Sequence, residues 1–303
     1  MKAKVIVAVA AVLLAAGAAR ADFELHGIEQ LTVNTSHGQG WLYDKSKVWF
    51  VSAGSVGNLF ARGSSAVDMS GGSVNDIYAY DTVAVDISGG VLVGGLQAYA
   101  QTVTVDMSGG AVNHLKYGTV NISGGAVTYL DATNAHISGG LVTILRIGGS
   151  WETVYISGGW VDRLYASGVA GSAVDISGGS VNKIYASGYS AVDISGGAVG
   201  EIDARDSSTI TLHGRNFQAM SGLSLLQYDI VNGVPQYVVM GTGILTGKWL
   251  DGAAWAIPIS AHAAGATILA IPEPTTMSLL GLLALSLPKR GGLAMLRRRR
   301  RIA

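Results

Sequence analysis

Ala173-Val174-Asp175-Ile176-Ser177-Gly178-Gly179-Ser180-Val181-Asn182-Lys183-Ile184-Tyr185-Ala186 is the stretch whose reading decides the fold. Val174 and Ile176 flank an acidic residue, the period-two alternation of a half-buried strand. Gly178 and Gly179 follow at once. Two adjacent glycines either turn the chain through a positive φ or let another backbone come close. Val181, Ile184 and Ala186 then supply apolar side chains for a second and a third side. A helix is disfavoured, because each interior glycine costs it about 1 kcal/mol relative to alanine.

The stretch is one copy of many. Ser-Gly-Gly begins at Ser70, Ser88, Ser108, Ser123, Ser138, Ser157, Ser177 and Ser195, at spacings of 18, 20, 15, 15, 19, 20 and 18 residues. Degenerate copies, Ser52-Ala53-Gly54 and His213-Gly214-Arg215, flank the set and bring it to ten units. Val67, Met69, Val74, Ile77 and Ala79 fill the apolar positions in one unit, and Val192, Ile194, Val199, Ile202 and Ala204 fill them in another. A unit of this size is too short for a propeller blade, which takes about 40 residues. One turn of a β-solenoid fits, because stacked neighbours bury a core that no single unit can bury. The expected fold is all-β: a single-stranded parallel β-helix of about ten coils. At about 4.8 Å per coil the rod is roughly 45 to 50 Å long. End coils expose unpaired edges and need covers. The expected organisation is a signal peptide at 1–21, an N-terminal cap at 22–48, repeats at 49–215, a C-terminal β cap at 216–270 and a sorting tail at 271–303.

Both ends read as address signals. Lys2 and Lys4 precede an apolar run, Val5 to Ala18, and Ala19-Arg20-Ala21 is a small-x-small site. That is the pattern of a secretory signal peptide cleaved before Asp22. At the other end, Pro272-Glu273-Pro274 precedes an apolar stretch from Thr275 to Leu287, then Pro288-Lys289-Arg290, then Arg297, Arg298, Arg299, Arg300 and Arg301. This order resembles the PEP-CTERM sorting tail. The resemblance implies recognition by an exosortase-type processing enzyme, a transmembrane-like C-terminal helix, transient tethering to the inner membrane, and delivery to the cell surface or the extracellular polysaccharide. Thirteen apolar residues make a helix of about 20 Å, short against a hydrocarbon core of about 30 Å, so the tail reads as a marginal anchor.

The chain has 20 basic and 20 acidic residues and no cysteine. Setting aside the three basic residues of 1–21, and the seven basic residues and Glu273 of 272–303, leaves a body with 10 basic and 19 acidic residues, net −9. Such a body disfavours nucleic acid. Without cysteine it uses no disulfide and no thiolate metal site.

Asp68, Asp86, Asp106, Asp175 and Asp193 share one repeat position, held by Asn121, His136, Tyr155 and Thr211 in other coils. In a stacked coil they form an outward ladder, read as a solvated acidic face or as a ladder for Ca2+ or another ligand. The repeat lacks the Gly-Gly-x-Gly-x-Asp calcium pattern, so neither a metal site nor a cofactor is assigned. Tyr78, Tyr165 and Tyr185 recur one position before the alanine, as an aromatic column able to face glycan or to pack on itself. The threonines (Thr102, Thr104, Thr119, Thr128, Thr133, Thr143) show no constant spacing, which weighs against an ice-binding face. No catalytic residues are assigned. The expected function is an exported, non-enzymatic structural or adhesive protein of the cell surface or matrix. The alternative is a glycan-binding lectin or polysaccharide-active enzyme on the same scaffold.

Overall fold

A computed structural model describes residues 21–273 apart from 132, 150–151, 169–170, 232–233 and 263–264. The described residues form a parallel β-solenoid of about ten turns, and no helix occurs among them. Each turn contributes to two parallel ladders. Thr104–Met107, Thr119–Ile122, Asn134–Ile137, Thr153–Ile156, Ala173–Ile176 and Ala191–Ile194 stack in one. Ala111–Lys116, Ala126–Asp131, Leu141–Ile147, Trp160–Ala166, Ser180–Ala186 and Ala198–Ala204 stack in the other. Ala66–Ala79 and Ala84–Ala98 run unbroken through the corner and serve both.

The repeat fixes the register. Val174 lies between Val154 and Val192, and Ile184 between Leu164 and Ile202. Like therefore stacks on like, and Val174, Ile176, Val181, Ile184 and Ala186 are all buried in one continuous core. Full burial of a Val, Leu or Ile side chain contributes about 1.5–3 kcal/mol. A lone coil cannot offset the entropy of ordering its own backbone with so few such groups.

The Ser-Gly-Gly corner divides its work among three residues. The carbonyl of Ile87 accepts the backbone N–H of both Ser108 and Gly109 of the next coil, at 2.9 and 3.2 Å. The serine hydroxyl adds a donor to the same type of carbonyl, as from Ser70 to Phe50 at 3.1 Å. The first glycine has no room for a side chain: a Cβ on Gly89 falls 2.5 Å from the Ser70 carbonyl oxygen, and one on Gly139 falls closer still to that of Ser123. The second glycine is left-handed in all eight copies, from φ 70° at Gly72 and Gly179 to φ 82° at Gly197. Both roles that sequence allows a glycine pair are thus used, one by each residue.

Ser46, Ser65, Ser172, Ser190 and Ser208 sit one residue before a strand of the first ladder and are buried. Ser208 Oγ donates within reach of the carbonyls of Ala186 and Arg205, at 3.3 and 2.8 Å. Ser65 Oγ has no partner, and Val83 occupies the equivalent place in the next coil. A buried orphan hydroxyl costs about 1–3 kcal/mol, and an ordinary net hydrogen bond contributes about 1 kcal/mol. Ser65→Ala is therefore expected to be neutral or stabilising, and Ser208→Ala to destabilise by about 1 kcal/mol, measured by urea melts of the two variants side by side.

The ends differ in construction. In the segment expected to form the N-terminal cap, Gln30–Val33 and Ser36–Leu42 stack in parallel on Lys47–Phe50 and Ser55–Ala61, as rungs of the same two ladders. Beyond the repeats, Ser224–Val231 and Val234–Met240 pair antiparallel, as do Gly243–Lys248 and Ala254–His262. The chain then returns to the solenoid. Ile259 to His262 pairs in parallel with Ala204's strand, and Thr267–Pro272 pairs in parallel with Thr209–Met220. Trp249, 3% exposed, covers the terminal coil and donates its indole N–H to the Gly197 carbonyl at 2.7 Å. In interior coils that carbonyl accepts a backbone N–H from the next turn, as Gly179 does from Ala198.

Residues 1–20, including Ala19, which the sequence leads one to expect as a signal peptide, lie outside the described residues. So do Pro274, the expected C-terminal helix and Arg297, Arg298, Arg299, Arg300 and Arg301. Ala21 and Asp22 lie against the first turn. The Ala21 carbonyl accepts the Gly38 N–H, and Asp22 accepts the Gln39 N–H. Pro272 and Glu273 extend the last parallel pairing, opposite Gly214.

Candidate functional site

Two outward columns run along the rod. On the first ladder, Trp49, Asp68, Asp86 and Asp106 are successive register partners, followed by Asn121, His136, Tyr155, Asp175, Asp193 and Thr211. The five aspartates expected to share a face do share it. They fall into two groups, because Asn121, His136 and Tyr155 separate Asp106 from Asp175.

Each group has hydrogen-bonding or cationic neighbours. Lys47 Nζ lies 2.6 Å from Asp68, Asn121 donates to Asp106 at 2.7 Å, and His213 Nε2 lies 2.6 Å from Asp193. Asp86 stands between two acids. Desolvation, then a hydrogen bond to Asp68, then the charges of Asp68 and Asp106 raise its pKa above the ordinary carboxylate value, and Lys47 opposes them. Its proton is therefore held more tightly in the folded chain than in the unfolded one. The ionised Asp86 opposes folding above its folded pKa, and this penalty is relieved as pH falls through that raised value. Asp86→Asn is expected to stabilise the protein at neutral pH by less than about 1 kcal/mol, given the exposure of the site. The gain should shrink on acidification, and chemical denaturation at a series of pH values measures it. Among the described residues, no group of three or more His, Asp or Glu side chains is placed to hold a metal ion.

The second ladder carries the aromatic column. Trp41, Phe60 and Tyr78 are register partners, with stacked rings 5.9 and 5.0 Å apart. Tyr165 and Tyr185 stack at 4.7 Å and 4°. Parallel rings at the coil spacing cover one another's faces and leave their edges to solvent. The tyrosines singled out from sequence therefore pack on their neighbours, and ring faces inside the stacks are closed to a sugar. Gln97, Lys116, Asp131 and Arg146 interrupt the column.

Threonine spacing in the sequence conceals a short column. Thr104 and Thr119 are register partners, and Thr153 continues the line beyond Asn134. The 15-residue and 19-residue spacings hide this alignment, because length differences are absorbed by the connectors.

Sequence reasoning missed three arrangements. Asp203, 4% exposed, receives two hydrogen bonds from Arg205 at 2.8 and 2.7 Å beneath the returning strand. His213 bridges Asp193 and Glu273, with its Nδ1 2.7 Å from Glu273. Tyr99, outside the repeat positions, stacks on Tyr80 at 4.6 Å and 6°. Comparisons with protein-family models, curated proteins and solved structures each find no match.

Proposed function

We propose that the chain is an exported, non-enzymatic structural or adhesive rod of the cell surface or extracellular matrix. The observation that carries this reading is the repetition itself. Short connectors and a constant register turn one small coil into outward columns in which short runs of one side-chain type recur. Such surfaces suit multivalent contact with a polymer, since each weak site is repeated along the rod. The apolar, small-x-small N-terminus and the Pro-Glu-Pro, apolar, arginine-rich C-terminus support export and sorting by an exosortase-type enzyme, with transient membrane tethering through the tail. Extracellular polysaccharide is the partner this route supplies, and the acidic body makes nucleic acid a poor one. Deleting residues 271–303 is expected to move the protein from the cell surface to the periplasm or medium, as followed by fractionation. Unchanged localisation would sink the sorting claim.

A second reading is a glycan-binding protein on the same scaffold, favoured by the aromatic residues outside the closed stacks. A polysaccharide-active enzyme would release new reducing ends or unsaturated uronates, which saturable binding alone does not. The three threonines aligned through Asn134 keep an ice-binding face as the weakest reading, tested by thermal hysteresis.

A further inference from the structure

We propose that a hollow beside Tyr99 binds a neutral pyranose unit of a glycan chain. The hollow exists because the coils change length. Connectors from the second ladder back to the first span 80–83 and 99–103 in the earlier coils, but only 117–118 between Lys116 and Thr119 and 132–133 between Asp131 and Asn134. The third side of the rod is recessed there. Tyr99 stands at the edge of the recess, on the last long connector before it.

Its ring is held by stacking against the preceding coil, on Tyr78 at 6.5 Å as well as on Tyr80. Tyr80 covers one face at 4.6 Å, and Arg62 lies over Tyr80 at 4.8 Å. The Tyr99 hydroxyl donates to Gln97 Oε1 at 2.9 Å. Beside it lies a hollow of about 300 Å³ lined by Ala98, Tyr99, Ala100, Gln101, Tyr117 and Thr133. Tyr99 is the last ring of the stack that runs through Phe60 and Tyr78, and it is 54% exposed beside the hollow.

Tyr117 gives the second, independent observation. Of the six non-glycine described residues with positive φ, five are Asp, Asn or Ser; the sixth is Tyr117, at φ 62°. A bulky side chain in the left-handed region carries a local cost of order 1 kcal/mol or more. Here it belongs to a tyrosine that is 56% exposed and lines the hollow together with Tyr99.

The chemistry of the lining selects the ligand. A pyranose has an apolar face of C–H groups and a rim of hydroxyls. The first matches a fixed aromatic face. The second needs a few polar groups around an otherwise apolar hollow, and Gln101, Thr133 and Tyr117 are the lining residues that carry them. No lining side chain is charged, so a neutral sugar is favoured over a uronate. The choice of a glycan as ligand rests on the reading of the chain as a matrix protein, whereas the geometry does not.

The test uses the purified secreted protein and isothermal titration with cellohexaose, maltohexaose and mannohexaose, with polygalacturonate as the charged comparison. Saturable binding of at least one neutral hexaose is expected, with little or none of the polyuronate. Tyr99→Ala is expected to weaken it at least tenfold, Gln101→Ala by a smaller factor, and Tyr185→Ala, in the closed stack, not at all. Thermal melts of each variant separate lost binding from lost folding, and Tyr99→Phe, which keeps the ring, should retain most of the affinity. The proposal is overturned if none of the neutral hexaoses binds, if Tyr99→Ala binds as well as wild type, or if Tyr185→Ala loses as much as Tyr99→Ala. Because localisation plays no part in this assay, its failure leaves the sorting experiment standing, and the converse also holds.

Discussion

Gly139→Ala is expected to destabilise the rod by about 3 kcal/mol, the upper end of what overpacking a tight interior costs. The added methyl would meet the Ser123 carbonyl oxygen of the preceding coil, and that oxygen belongs to backbone held in ladder register on both sides. Neither partner can rotate away, so relief requires the two coils to separate locally. Gly148→Ala is the matched control. It lies in the same turn on a connector, and its methyl would meet only Ser167 Oγ, at 3.6 Å. That change is expected to be neutral or slightly stabilising, since alanine lowers the entropy of the unfolded chain. Urea denaturation of both variants, followed by far-ultraviolet circular dichroism, measures the contrast. Equal destabilisation would mean that the corner glycine is set by something other than coil spacing.

Trp249→Ala should cost about 3–5 kcal/mol, in the range for deleting a buried aromatic side chain. Two losses combine in it. The terminal coil loses its cover, and the Gly197 carbonyl loses the indole N–H donor that stands in for the next turn's backbone. Trp249→Phe isolates the second loss, because it keeps much of the ring volume but leaves that acceptor unmatched, at about 1–3 kcal/mol. Trp255 packs 4.9 Å from Trp249, and its own indole N–H is buried without a partner. Trp255→Phe is therefore expected to be far milder. Thermal melts of the three variants should rank Trp249→Ala below Trp249→Phe, with Trp255→Phe nearest to wild type. Because stability in a solenoid passes from neighbour to neighbour, hydrogen exchange in Trp249→Ala should quicken first in residues 198–212 and only later towards the N-terminus.

The parts of this fold legible in the sequence are those that repeat. Val67, Met69, Val74, Ile77 and Ala79 are all buried, as are their counterparts from Val174 to Ala186 and from Val192 to Ala204. The aspartate register follows from the same period. The division of labour between the two glycines was not legible, since sequence cannot separate a need for positive φ from a need for empty space. The C-terminal cover was missed in detail for another reason. Trp249 reaches Gly197, and Thr267 pairs with Thr209, across more than fifty residues with no period to announce the contact. The Tyr99 hollow was hidden too, because it arises from a difference between coils, whereas the repeat was read from their likeness. The Tyr78, Tyr165 and Tyr185 column was visible as a register, but only geometry reveals that its rings face each other.

One cross-linking experiment bears most directly on the claim that each repeat unit is one coil stacked in fixed register. The natural chain has no cysteine, so the background is clean. Asp175 and Asp193 are partners on adjacent coils, and Asp193 and Thr211 are the next pair. Adjacent strands lie about 4.8 Å apart, inside the roughly 4.4–6.8 Å Cα separation a disulfide accepts. Two coils separate Asp175 from Thr211, about 10 Å. Under mild oxidation the double variant Asp175→Cys/Asp193→Cys is expected to form an intramolecular disulfide, and Asp175→Cys/Thr211→Cys is expected to remain reduced. A reduced first variant, or a disulfide in the second, would contradict the stacked-coil architecture.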